Sequence, residues 1–356
     1  MMKNKLSNVK NKVGKIRGSR TKDVASKAVL PYITNETVAE HREEVLSGAR
    51  KYIYPLQHSR HKIVWLSVTI FIATFVALLV FTMLNLYRFQ NTSTFTYRIT
   101  QIVPFPIARA GGRFVSYESY LFELRRSIHY YENKQKINFQ LEENQGQLND
   151  LKKDALNQVI NDAYVKRLAD DNGISVSLSE LEREMDISIK QNRLGFADGT
   201  LEDVLKDYYD WDINDFKRTF KQQILARKVV AVLDQDAKIK AEDALVELNA
   251  GAEFADVVAR YSDDETSKAN GGEYGLDITS SLKTVSPKVT EVIFAQGVGK
   301  YSEVINTGYS LEIVKTISLD NTKAKAAHIQ INLRDIGNYV GELKESSPPR
   351  YYIATP

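Results

Sequence analysis

The stretch from Ala241 to Gly275 reads "AEDALVELNAGAEFADVVARYSDDETSKANGGEYG", and its final loop decides how the C-terminal half is read. That loop lies between a helical pattern and a later strand pattern. It holds three consecutive acids, Asp263, Asp264 and Glu265, then Lys268 and the pair Gly271-Gly272. Gly271, Gly272 and Gly275 permit positive φ and let a peptide approach closely, while residues 262–270 can fold over a groove. A double glycine by itself marks a turn, so its meaning depends on its flanks.

Outward from the loop, the 356 residues leave room for roughly two domains of about 150 residues each, and 43% hydrophobic residues suffice for packed cores. The absence of cysteine excludes disulfides, thiolate nucleophiles and cysteine-ligated zinc. The five histidines are scattered; His58 and His61, among Ser59, Arg60 and Lys62, read as a solvated charge cluster rather than a metal site. No nucleotide loop, metal motif or hydrolase triad is evident, so no cofactor is expected. Net charge is +3, but residues 1–62 carry fourteen Lys/Arg against five Asp/Glu, and the remainder is net negative.

From Ile63 to Leu86 the chain is uncharged, with Ser67, Thr69, Thr74, Thr82 and Asn85 as its polar side chains. At about 1.5 Å per residue this run spans a hydrocarbon core of about 30 Å. Trp65 and Tyr87 mark its ends; Arg60, His61 and Lys62 precede it and Arg88 follows. It starts too far from the terminus for a cleaved signal peptide and reads as a signal anchor over 63–87. The positive-inside rule puts a disordered basic arm, 1–62, in the cytoplasm and the rest outside. Nucleic-acid or headgroup binding is the alternative for the arm, which lacks an aromatic stacking platform.

A linker over 88–110, punctuated by "VPFPIARAGG", leads into helical patterns. Ser116 with Ser119 starts a helix carrying Tyr117, Tyr120, Leu121, Leu124 and Ile128 at helical spacing. Leu151, Ala155, Leu156, Val159, Ile160, Ala163, Tyr164 and Leu168 form the apolar face of a second helix that stops at Gly173. Three more starts follow, at Ser177 with Glu180, Thr200 with Asp203, and Asp212 with Asp215. An all-α unit over 111–240 is expected.

The order "SYESYLFELRRSI", "DALNQVINDAYVKRLADDNGISVSLSELEREM", "DFKRTFKQQILARKVV" resembles the N-terminal chaperone domain of SurA-type extracytoplasmic foldases, grouped with PrsA and PpiD. From Ala241 the chain resembles the parvulin peptidyl-prolyl isomerases. The shared features are a helix ending at Ala-Gly, the helix Phe254 to Tyr261, the Gly-Gly-acid-aromatic-Gly loop, and "VSPKVTEVIFAQGVGKYSEVINTGYSLEIVK" with its Phe294-Ala295 pair and Gly308-Tyr309 strand. The resemblance implies an α+β fold: a single N-terminal transmembrane helix, an all-α chaperone domain, and a small parvulin-like domain over 241–333 with an antiparallel-rich sheet and flanking helices. A flexible tail, 334–356, is expected from Ser346, Ser347, Pro348 and Pro349.

Parvulin chemistry uses no covalent nucleophile. Prolyl rotation faces a barrier of about 18–20 kcal/mol, lowered by an apolar pocket for the ring and polar groups around the twisting carbonyl. By resemblance, Asp264, Ser310 and His328 stand at catalytic positions, and Tyr274, Val285, Val289, Phe294 and Tyr309 at substrate-binding positions. The departures are specific. The histidine usual on the first strand is missing upstream of Ala241, and Ser310 stands where another histidine follows Gly-Tyr. Val285 and Val289 replace bulkier residues, and Tyr274 a common leucine.

"AAHIQINL", Ala326 to Leu333, resembles the missing first strand yet comes last. Folded back as a hairpin on "LEIVKTISL" it would return His328 to the groove, a local permutation. The alternatives are the stump of a second repeat or an edge strand with a surface histidine. The expected function is a membrane-anchored foldase with prolyl isomerase activity outside the cytoplasmic membrane; a non-catalytic peptide-binding chaperone or membrane-complex adaptor is the alternative. Expected partners are unfolded or newly translocated polypeptides, the membrane through one helix, and a translocon or envelope protein, with no nucleic acid.

Overall fold

The structure is a computed structural model that describes residues 33–53, 55–190 and 200–354. Residues 1–32 of the basic arm lie outside the described residues, as do the side chains of His58 and His61. The rest of the arm, expected to be disordered, is helical over Asn35–Ile53 and again from Pro55. The chain divides into two compact units, Met1–Ala77 and Leu78–Pro356. The first contains α1 (Asn35–Ile53) and most of α2 (Pro55–Met83), which runs on into a π-helical turn, Leu84–Arg88. Within this stretch Lys62–Arg88, whose most apolar 18-residue window has a mean hydropathy of 2.7, is long and apolar enough to cross a membrane.

The second unit opens with α3 (Thr94–Ile102) and a hairpin of β1 (Pro106–Ala110) and β2 (Arg113–Ser116), so the expected linker is structured. Its prolines sit in the turn before β1 and at that strand's start, where a missing amide is tolerated. Then come α4 (Tyr117–Asn133), α5 (Gln145–Asp171), α6 (Leu178–Lys190), α7 (Leu201–Tyr209) and α8 (Ile213–Leu233). Side-chain caps set four of these starts. Ser116 Oγ accepts from Ser119 N at 3.1 Å, Ser177 Oγ from Glu180 N at 3.1 Å, and Thr200 Oγ1 from Asp203 N at 3.2 Å. Asp212 and Asp215 form a reciprocal capping box. Each cap contributes about 1 kcal/mol by satisfying amides that have no partner inside the helix.

Leu121, Leu124, Leu156, Ile160 and Tyr164 build the core between α4 and α5. Tyr117 and Tyr120 lie in it edge-to-face at 5.5 Å, and Tyr117 Oη donates to Leu86 O at 2.7 Å. The last turns of the apolar helix are therefore part of this core.

The second half begins earlier than residue 241. Asp234, 1% exposed, separates α8 from α9 (Gln235–Asn249), capping α9 by accepting from Ala237 N at 3.2 Å. There follow α10 (Phe254–Tyr261), the single turn α11 (Glu265–Lys268), α12 (Pro287–Ala295), and the strands β3 (Ile305–Asn306), β4 (Ser310–Leu319) and β5 (Ala324–Asn332). The sheet is antiparallel in the order β3-β4-β5. Strand alternation divides its side chains. Leu311, Ile313, Ala327, Ile329 and Ile331 pack with α9 and α10, whereas Val314, Ala324 and Ala326 pack with α12.

Residues 334–356, expected to be a flexible tail, instead form α13 (Ile336–Ser346) and β6 (Arg350–Tyr351). Ile336, Val340 and Leu343 recur at helical spacing and pack on the α4–α5 core, and β6 pairs with β1. The prolines at 348 and 349 stop a helix; they do not prevent order. Asp234 Oδ2 also accepts from Arg334 N at 2.7 Å, tying together the points where the chain leaves and re-enters the helical part. The second half is thus an insertion within it.

Candidate active site

β5 is covered on both edges. β4 pairs with it along its length, Val314 opposite His328. The loop after α10 takes the other edge: Asp263 N donates to Gln330 O at 2.6 Å, His328 N to Gly272 O at 2.8 Å, and Tyr274 N to Ala326 O at 3.1 Å. Gly271, Gly272 and Gly275 all have positive φ. The chain that approaches Gly272 closely is the protein's own β5.

This arrangement aims His328, 4% exposed, into a polar cluster. His328 Nε2 lies 3.0 Å from Asp264 Oδ2 and 3.1 Å from Ser267 Oγ, which itself donates to Asp264 Oδ2 at 2.5 Å. On the other ring nitrogen, Nδ1 is 3.4 Å from Glu312 Oε2. Glu312, 8% exposed, also accepts from Tyr274 Oη at 3.1 Å and from Ser310 Oγ at 2.9 Å. The Tyr274 ring lies tilted against the imidazole with centroids 4.2 Å apart.

Local sequence explains each placement. Asp264 caps α11, accepting from Thr266 N at 3.1 Å, which fixes its carboxylate beside the strand. Ser310 and Glu312 alternate with Leu311, so both face the His328 side of the sheet. Burial acts to raise the Asp264 carboxyl, but hydrogen bonds from Ser267, Thr266 and His328 outweigh it and hold the group well below the usual carboxylate range. Burial, reinforced by the nearby Glu312 carboxylate, raises the Tyr274 phenol, so it stays protonated and donates. The result is an imidazole set between two carboxylates, with a fixed phenol donor beside it.

Among the other residues singled out in the sequence, Val285 and Val289 are 3% and 0% exposed, in the core with Ile293 and Val314. Phe294 packs against the same core. Tyr309 stands apart, 68% exposed, with the Arg227 guanidinium over its ring at 5.2 Å. Ser267 and Glu312 join the cluster unanticipated. Both had a signal: Ser267 follows Asp264 by three residues, as in a capped turn, and Glu312 is an acid between Leu311 and Ile313 in a buried strand. No group of three or more His, Asp or Glu suited to a metal ion is present among the described residues.

Comparison with known proteins follows this geometry. Residues 226–318 match the PPIC-type PPIase domain, and residues 56–230 the SurA-like N-terminal domain. The periplasmic chaperone PpiD of Haemophilus influenzae is 39% identical over 102 residues, 27% of this chain and 15% of that protein. The foldase protein PrsA of Caldanaerobacter subterraneus subsp. tengcongensis is 29% identical over 115 residues, 32% of this chain and 34% of that one. The crystal structure of foldase protein PrsA from Streptococcus pneumoniae, 19% identical, covers 53% of this chain and 75% of that chain with a TM-score of 0.17. The matched segments span well under two thirds of the PpiD and PrsA sequences.

The chain therefore joins a SurA-like N-terminal domain to a PPIC-type PPIase domain, the parvulin type. In this make-up it resembles the SurA/PrsA/PpiD-like parvulin foldases. The PPIC-type match ends at residue 318, so β5 and His328 lie beyond it.

Proposed function

We propose that the chain is a single-pass membrane protein whose helical part binds unfolded or newly translocated polypeptides outside the cytoplasmic membrane, and whose parvulin domain catalyses prolyl cis/trans isomerisation. The observation that carries the catalytic reading is the 3.0 Å contact between His328 and Asp264, made by a strand that follows the family's last strand. In this reading β5 takes the place of the usual first strand, and the site is rebuilt from the C-terminal side.

The chemistry needs no proton transfer to the substrate. Rotation about the prolyl bond removes amide resonance and takes negative charge off the carbonyl oxygen, so an anionic group facing that oxygen disfavours the planar state. The cluster stays polar and fixed, backed through Tyr274 by the fully buried core of Val289 and Ile293. Asp264, its side chain 18% exposed against 5% for His328, is open to a substrate carbonyl; Glu312 and Tyr274 hold the imidazole from its other side. Membrane attachment rests on the length and hydropathy of Lys62–Arg88 and on the extracytoplasmic resemblance.

A second reading, a peptide-binding chaperone without catalysis, is favoured by Ser310, which hydrogen-bonds Glu312 where the family places a histidine. The test is exchange spectroscopy on a short Xaa-Pro peptide with the full chain in lipid nanodiscs. Faster cis/trans exchange supports the enzyme. Unchanged exchange from a chain that still suppresses aggregation of an unfolded protein assigns it to the binder.

A further inference from the structure

The helix α3 exposes an apolar face that the foldase reading leaves unused. Phe95, Arg98 and Ile102 share one side of it, at i, i+3 and i+7. Phe95 is 62% exposed and Ile102 82%, and Phe89, just before the helix, is 70% exposed. The opposite side, with Thr96 and Thr100, is turned into the protein. Large side chains so disposed on a nine-residue helix are unfavourable in water and suit an interface.

The length of the apolar helix says which interface. A hydrocarbon core of about 30 Å takes about twenty helical residues. Counted from Ile63, that length reaches Thr82. Yet Thr82 is 3% exposed and Leu86 0%, both packed within the folded unit that contains α3. Phe81 and Asn85 share a shallow depression of about 180 Å³ with Phe95 and Ile99. The turns that must lie at the hydrocarbon boundary therefore line the same depression as α3, which sets α3 at that boundary. Arg88 and Arg98, both exposed, bracket the face with cations suited to lipid phosphates.

We propose that α3 is an interfacial helix that seats the folded unit on the bilayer, with Phe89, Phe95 and Ile102 entering the headgroup–acyl boundary and Arg98 meeting phosphate. This rests on the membrane-spanning reading of Lys62–Arg88. Polypeptide would then be met at the lipid surface.

The chain has no cysteine, so single-site nitroxide labelling is clean. Phe95→Cys and Ile102→Cys are labelled in the full chain in phosphatidylcholine–phosphatidylglycerol vesicles, with Val76→Cys in the apolar helix and Val246→Cys on α9 as references. Collision with oxygen and with a water-soluble nickel chelate is measured at each site. The expected result is an oxygen-to-nickel ratio at 95 and 102 several-fold above that at 246 and below that at 76. Water-like labels at 95 and 102 beside a lipid-like label at 76 would overturn the inference and leave the span intact. Labels at 95 and 102 shielded from both reagents would show a protein, such as a second copy, on the face and also overturn it. A water-like label at 76 would remove the span and this inference together.

Discussion

A Cβ added to Gly272 would come within 2.3 Å of the His328 carbonyl oxygen and 2.9 Å of Val258 Cγ2. The loop and the histidine strand are thus fitted backbone to backbone, at a φ of 85° that only glycine adopts readily.

Gly272→Ala is accordingly expected to destabilise the chain by on the order of 3 kcal/mol, combining left-handed strain with overpacking. Gly275→Ala, at φ 69° with nothing within 4 Å of its added Cβ, meets the strain alone and is expected to cost less. Denaturant unfolding of both variants checks the order. Equal losses would mean that contact with β5 does not matter.

How far this was legible in the sequence differs by element. The capped starts at Ser116, Ser177, Thr200 and Asp212 could be read because capping is local chemistry, and the apolar run was plain from its length. The hairpin that brings His328 beside Asp264 was one of three open readings, since pairing between distant segments leaves only alternation as a trace. The fate of residues 334–356 was misread. Ser346 to Pro349 signal a break, whereas the order of α13 comes from Val340 and Leu343 meeting a core formed by α4 and α5, far away in sequence. The close approach at Gly272 was foreseen, but its partner is the chain itself.

Asp234 links the two halves through Ala237 N and Arg334 N while 1% exposed. Asp234→Ala removes a helix cap and leaves a partly buried amide unpaired, at an expected cost of about 2–3 kcal/mol. Amide exchange should quicken first at Ala237 and Arg334. Unchanged protection at both would show that the insertion is held by other contacts.

Two carboxylates give opposite pH signatures. Burial, reinforced by Glu123 and opposed by Lys166, pushes the Asp162 carboxyl up to about 6. Its folded form binds extra protons between the ordinary value of about 3.9 and that raised one, so stability falls as pH rises through this window. Asp162→Asn is expected to gain on the order of 2 kcal/mol at neutral pH and little at about pH 4. Asp264 behaves oppositely. Its depressed carboxyl stabilises the fold above the ordinary value and loses that contribution as pH falls below about 4. Asp264→Asn should lower stability at neutral pH and flatten the acid limb, and thermal unfolding across pH reads both effects.

The central claim is that Asp264 and His328 act as one unit in a site completed by β5. A double-mutant cycle on prolyl exchange tests it most directly, with the full chain carrying Asp264→Ala, His328→Ala and both. The account predicts that each single substitution lowers kcat/KM by about tenfold or more and that the double variant is little worse than either. Losses that multiply, or single variants that retain full activity, would contradict it.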